Sequence, residues 1–141
     1  MLPLFEKIYP EDDRPRQAIL ILRNWIKTGI FKMTEIRGAS LAAHAAARKA
    51  KNSDMACFAA RAAGQSVATA HVSQHAYGGA YYALKAIIAT KPLDIEGEVM
   101  KEYLWQSKRL AKTLRQEIIS RIIISKNKKG FTVKIEKGEG F

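Results

Sequence analysis

At 141 residues with 48% hydrophobic side chains, the chain has the length of one domain and enough apolar material for its own core, which excludes a disordered body. Its single cysteine, Cys57, excludes an internal disulfide and a thiolate zinc cage. The net charge of +11 is uneven: residues 101–141 carry 11 Lys/Arg against 4 Asp/Glu, whereas residues 51–100 carry 4 of each. Such a field attracts nucleic acid, acidic protein surfaces or anionic lipid without choosing among them.

Met1-Leu2-Pro3 leads at once into Glu6 and Lys7, and no uncharged apolar run reaches the roughly 18 residues of a membrane span. A cytoplasmic protein that does not engage a membrane is expected. Leu2 to Ile8 reads as the last turns of a short helix, stopped by Pro10 and the acidic Glu11-Asp12-Asp13. Asp13 is placed to cap the next helix, and Pro15 is tolerated in its first turn. Ala18, Ile21, Leu22 and Trp25 then recur at helical spacing until Gly29 supplies a stop.

Thr34 is the expected cap of a second long helix that runs through Ala50. Asn52-Ser53-Asp54 breaks the chain, and a third helix follows from about Asp54 to His71, with a fourth from about Ser73 to Ala89 or one bent helix across both. Between Ala39 and Ala89 there are 19 alanines in 51 residues. Helices with so little bulk can approach closely, with Phe58, Tyr77, Tyr81, Tyr82 and Leu84 filling around them, so a plain core is the expectation here. After Lys91-Pro92 a long fifth helix is predicted from Asp94 to Ile122, one face formed by Met100, Leu104, Ser107, Ala111, Leu114, Ile118 and Ile122. Phe131 to Ile135 alternates weakly, enough for a short edge strand but for no sheet of consequence. The expected fold is all-α: a compact bundle of about five helices around an Ala-rich central pair, residues 1–125 forming one domain and 126–141 a short polar, basic tail, disordered or a short strand.

Three groups of residues could carry chemistry. Asp12, Asp13, Arg14 and Arg16 form an acidic-basic loop that could meet charged groups of a partner protein, although turn capping and local ion pairing account for them more economically. Lys101, Lys108, Lys112 and Arg115 make a basic stripe on the fifth helix with Trp105 among them, the combination that neutralises phosphates and stacks on bases. His44, His71 and His75 could converge on a metal, His71 and His75 lying one turn apart if their helices are continuous, although no HExxH or carboxylate partner stands at a fixed local spacing. No phosphate-cradling Gly loop, dinucleotide fingerprint or nucleophile elbow is present, so no cofactor is expected. Cys57, within Ala56-Cys57-Phe58-Ala59, reads as a small hydrophobe.

Several strings together resemble a known family: Leu2-Pro3-Leu4-Phe5-Glu6, Tyr9-Pro10, Asp12 through Ile19, Leu41-Ala42-Ala43-His44-Ala45-Ala46-Ala47-Arg48, Ala59 through Val72, His75-Ala76 through Ala86, and Trp105-Gln106 with Leu114-Arg115. Over roughly residues 2 to 116 the chain is similar to the small all-helical immunity proteins of bacteria and archaea. The resemblance implies an all-helical fold and a non-catalytic role, binding a toxin to protect the producing cell. Gln65 departs from it, since the residue after Gly64 is often histidine in that family. The chain is also expected to open inside the family's first helix, leaving Leu2, Leu4, Phe5 and Ile8 as apolar surface for a second copy. Its basic charge points to an acidic or neutral target surface rather than a basic nuclease toxin. The leading expectation is therefore binding of a protein partner, with nucleic-acid binding and a His-based metal-dependent hydrolase as the alternatives.

Overall fold

In the computed structural model the described residues are 1–128 and 130–138, and they form seven helices followed by a β-hairpin. Pro3 sits in the first turn of α1 (Leu2–Glu6), and turns through Ile8 and Tyr9 lead to α2 (Arg14–Thr28). Pro15 occupies the opening turn of α2, and Gly29 ends it in the left-handed conformation, φ 69°, donating its N–H to Trp25 O. Asp13 stands at the cap position but its carboxylate accepts no backbone N–H there. It bonds Gln17 Nε2 at 2.9 Å instead.

Helix α3 (Met33–Lys49) begins one residue before the expected cap Thr34, with Lys32 at the cap position and no side-chain cap bond. Ser53 caps α4 (Asp54–Ala68) through Ala56 N, as the break at residues 52–54 suggested. Turns over 69–74 separate α4 from α5 (His75–Ala89), so the two are distinct helices and not one bent rod. α5 begins two residues after the expected start at Ser73, with Gln74 at the cap position and no side-chain cap bond.

The core falls into three clusters. Phe5, 1% exposed, plugs a surface made by Ala46, Ala47, Ala50, Ala56, Ala59, Ala60 and Ala86. Ala18 of α2 meets Ile36, Ala39, Ala43 and Val67, with Ile21, Leu22 and Trp25 packed alongside, which is the apolar face read from the sequence. α4 packs most extensively on α5 and α3. Gly64 shows how close the approach is: a Cβ there would stand 3.1 Å from the His44 ring.

The C-terminal third departs most from expectation. The single long helix is instead α6 (Ile95–Lys108) and α7 (Lys112–Arg121), parted at Arg109–Ala111. Asp94 caps α6 through Gly97 N at 2.8 Å. Of the predicted apolar face, Ser107 and Ile122 are buried and Ile118 packs on the core, but Met100, Leu104, Ala111 and Leu114 are exposed, and Val99 is buried in place of Met100. The break is held by Arg115, which donates to Ser107 O at 2.8 Å, Leu110 O at 3.2 Å and Lys108 O at 3.3 Å, satisfying carbonyls at the end of α6.

The short strand expected over Phe131 to Ile135 forms, and it packs on the helices instead of lying outside the core. β1 (Ile122–Asn127) pairs antiparallel with β2 (Gly130–Ile135), Ile122 opposite Ile135 and Asn127 opposite Gly130. Ile122 and Val133 are buried with Leu84 of α5 and Val99 of α6. Three consecutive isoleucines at 122–124 suit a pleated, half-buried surface better than a helix end. Residues 129 and 139–141 of the expected tail lie outside the described residues.

Candidate functional site

The acidic-basic loop folds into a clasp between α1 and α2. Arg14 donates to Asp12 through Nε at 2.7 Å and through Nη2, and its backbone N–H also points at Asp12 Oδ1. The Arg14 side-chain bonds hold the Asp12 carboxyl below its ordinary pKa, with Lys49 adding a smaller push, and Asp12 in turn raises Arg14. Arg16 forms a two-pronged pair with Glu6, both bonds 2.7 Å. The charges expected to meet a partner are thus engaged within the chain.

The basic stripe is divided by the α6–α7 break. Lys101 lies 3.5 Å from Glu98, and Lys108 and Lys112 are exposed. Arg115 is turned inward onto the carbonyls that end α6. Trp105 is 51% exposed, and the guanidinium over its ring, 3.7 Å from the centroid, belongs to Arg109, a residue that sequence reasoning passed over. Its signal was present: Arg109 is one turn beyond Trp105, the spacing at which helix side chains meet.

The histidines gather near the α4–α5 turn. His71 and His75 rings stand 5.4 Å apart at 49°, and His44 of α3 lies against Gly64. His75 Nδ1 is 2.7 Å from Gln65 Oε1, a contact in which the ring donates when Nδ1 carries the proton. His44 Nδ1 and His71 Nδ1 are buried without a partner among the described residues. Burial pushes the His44 pKa down, and the cations Arg61 and Arg48, with His75, push it further. Burial and His71 lower His75 in the same direction. Among the described residues no three His, Cys, Asp or Glu side chains are grouped to hold a metal ion.

Two further features were not legible as sites. One is a cavity of about 620 Å3 on the side of the alanine-rich helices that was read as plain core. Ala62 and Ala63 of α4 and Gly79, Ala80 and Ala83 of α5 line it, with Arg23, Trp105 and Arg109 among its polar and aromatic walls. The other is the corner where α2 passes into α3. Ile26 is 68% and Ile30 62% exposed, Phe31 and Met33 are exposed beside them, and Arg23, Lys27 and Lys32 are exposed nearby in sequence. The signal was Ile30-Phe31 directly after a helix-ending glycine, where a connecting loop is ordinarily polar.

Of the four apolar residues near the N-terminus, Phe5 is buried inside the chain, Leu2 lines the cavity, Leu4 packs partly on the alanine cluster, and Ile8 is exposed. No helix among the described residues is long and apolar enough to cross a membrane. A family model described as Imm-5 like putative immunity protein matches residues 1–113. Comparison with curated proteins and with solved structures gives no match.

Proposed function

The chain belongs to the Imm-5 like putative immunity protein family, and on that premise we propose that it is a non-catalytic, cytoplasmic protein that neutralises a toxin by binding it. The observation that carries the reading is the α2–α3 corner. Large apolar side chains exposed to water within one short stretch of chain, as Ile26, Ile30, Phe31 and Met33 are, mark a surface built to be covered. Aromatic and aliphatic anchors inside a polar rim supply most of the binding energy of a protein interface. The exposed charges nearest it in sequence, Lys27 and Lys32 against Glu35, are cationic on balance, so the partner surface is acidic around an apolar centre.

The corner is the principal contact, not Asp12, Asp13, Arg14 and Arg16. Those four lie at the opposite end of α2, and a partner would first have to break the Arg14–Asp12 and Arg16–Glu6 pairs. The test is calorimetric titration of the purified chain with the product of each neighbouring gene. One of them should bind, and Ile30→Asp or Phe31→Asp should weaken it at least tenfold while Arg16→Gln changes it by less than about threefold. Failure of every neighbour to bind, or binding indifferent to the corner substitutions, overturns the reading.

One observation favours a second reading. Trp105 offers a half-exposed ring close in the chain to Lys101, Lys108 and Lys112, an arrangement suited to single-stranded nucleic acid. Such binding falls steeply with salt, and no binding at low salt to a mixed single strand removes it.

A further inference from the structure

We propose that the cavity walled by α1, α2, α4, α5 and α6 is a binding site for a small apolar carboxylate, a single carboxylate on an aliphatic or aromatic body. Its volume, about 620 Å3, lies within the range of small-molecule pockets. The space exists because the facing positions of α4 and α5 are Ala or Gly: Ala62, Ala63, Gly79, Ala80 and Ala83 leave room that larger side chains would fill. Ile19, Leu110 and Ile118 continue the apolar lining, so an extended hydrocarbon or ring finds matching walls.

The charges of the lining choose the head group. Arg23 is exposed, and it has no acidic partner among the described residues. Arg109 spends one N–H on Trp105 O, lies over the Trp105 ring, and likewise has no carboxylate against it among the described residues. The lining acid, Glu102, accepts from Gln106 Nε2 at 2.9 Å. The lining thus holds two guanidinium groups and one carboxylate, a net positive charge, and a guanidinium fork matches a carboxylate with two parallel hydrogen bonds. A cationic ligand meets repulsion, and the mostly apolar lining favours a singly charged head on a hydrocarbon body over a highly hydrated polyphosphate.

The inference stands apart from the α2–α3 corner, and its test reads out small-molecule affinity alone. The full chain is titrated by calorimetry with octanoate and with 1-naphthoate, and with octanamide and 1-naphthamide as uncharged counterparts. The carboxylates should bind at least about tenfold more tightly than their amides, since a charge-assisted hydrogen bond is lost in the amide. Arg23→Gln and Arg109→Gln should each remove most of that preference while leaving amide affinity within about twofold. Ala80→Leu, which fills the space, should abolish binding of both; if it fails to fold by circular dichroism, the two arginine variants still decide. The tighter of the two carboxylates identifies the body as fatty-acid-like or aromatic. No carboxylate binding, equal affinity for acid and amide, or indifference to both arginine substitutions overturns the proposal.

Discussion

The alanine-rich body, α2 to α5, and the C-terminal third, α6 to β2, reach burial by opposite means. In the body, bulk is removed: Ala43, Ala46, Ala47, Ala59 and Ala60 are fully buried, and the helices close on one another until a Cβ at Gly64 would touch His44. In the third, elements are held by particular anchors: Tyr77 of α5 donates to Glu117 of α7 at 2.7 Å, Arg115 closes α6, and Ile122 and Val133 insert beside Leu84 and Val99. The contrast teaches that a core of small residues depends on the few large ones that plug it, whereas a core of anchors divides its dependence among them.

Phe5→Ala tests the first half of that contrast and should have the largest effect. Removing a fully buried ring from an alanine-lined surface leaves a cavity that small neighbours cannot collapse into, at a cost of about 3–5 kcal/mol. Urea unfolding measures it, and a loss below about 1 kcal/mol would mean that the alanine helices hold together without the plug. Ile122→Ala should cost about 2–3 kcal/mol by the same logic, because Ile122 is buried among Leu84, Val99 and Val133. A loss near zero would return the hairpin to the status of a polar tail.

The two regions also differed in how far they could be read. The α2 face, the Gly29 stop, the break at residues 52–54 and the helix start at Asp94 all rest on signals within about four residues, which local pattern reports directly, although the caps expected at Asp13 and Thr34 make no cap bond. The α6–α7 break has no Pro or Gly to announce it. Arg115 reaches back over eight positions to Ser107 O at the break, and local spacing carries no trace of such a contact. The hairpin was half visible in the alternation of Phe131 to Ile135, but its partner strand lay hidden because Ile122 also fitted the helical repeat. Of the candidate site groups, the sequence supplied the residues of the clasp and the histidine cluster without their pairings. It gave no sign of the cavity, since alanines that line a space look the same as alanines that fill one.

Arg115→Ala sharpens the comparison further. Three carbonyls at the end of α6 lose a charged donor, and because the guanidinium is only partly buried, water recovers some of the loss, leaving about 1–2 kcal/mol. Hydrogen exchange should show faster exchange in α7 and the end of α6 but unchanged protection in α3 and α4. Protection lost equally in all four helices would mean that the two regions unfold as one unit, with no division between them.

The smallest effect expected is a dependence of stability on acidity carried by His44 and His75 in the body. Both have folded-state pKa values below the ordinary imidazole value, His44 by burial and by Arg61, Arg48 and His75, and His75 by burial and by His71. Above about pH 7 the imidazoles are neutral in both folded and unfolded chains, and their contribution does not vary. As pH falls below about 6.5 the unfolded chain takes up protons that the folded chain resists, so stability declines until the folded-state pKa values are passed. His44→Phe keeps a planar ring against Gly64, removes the unpartnered Nδ1 and abolishes one of the two titrations. Its stability near pH 8 should equal or exceed the parent's, and its loss between about pH 7 and pH 5 should be shallower. A variant whose acid loss is as steep as the parent's would place the proton uptake elsewhere, outside the closely packed α3–α4 contact.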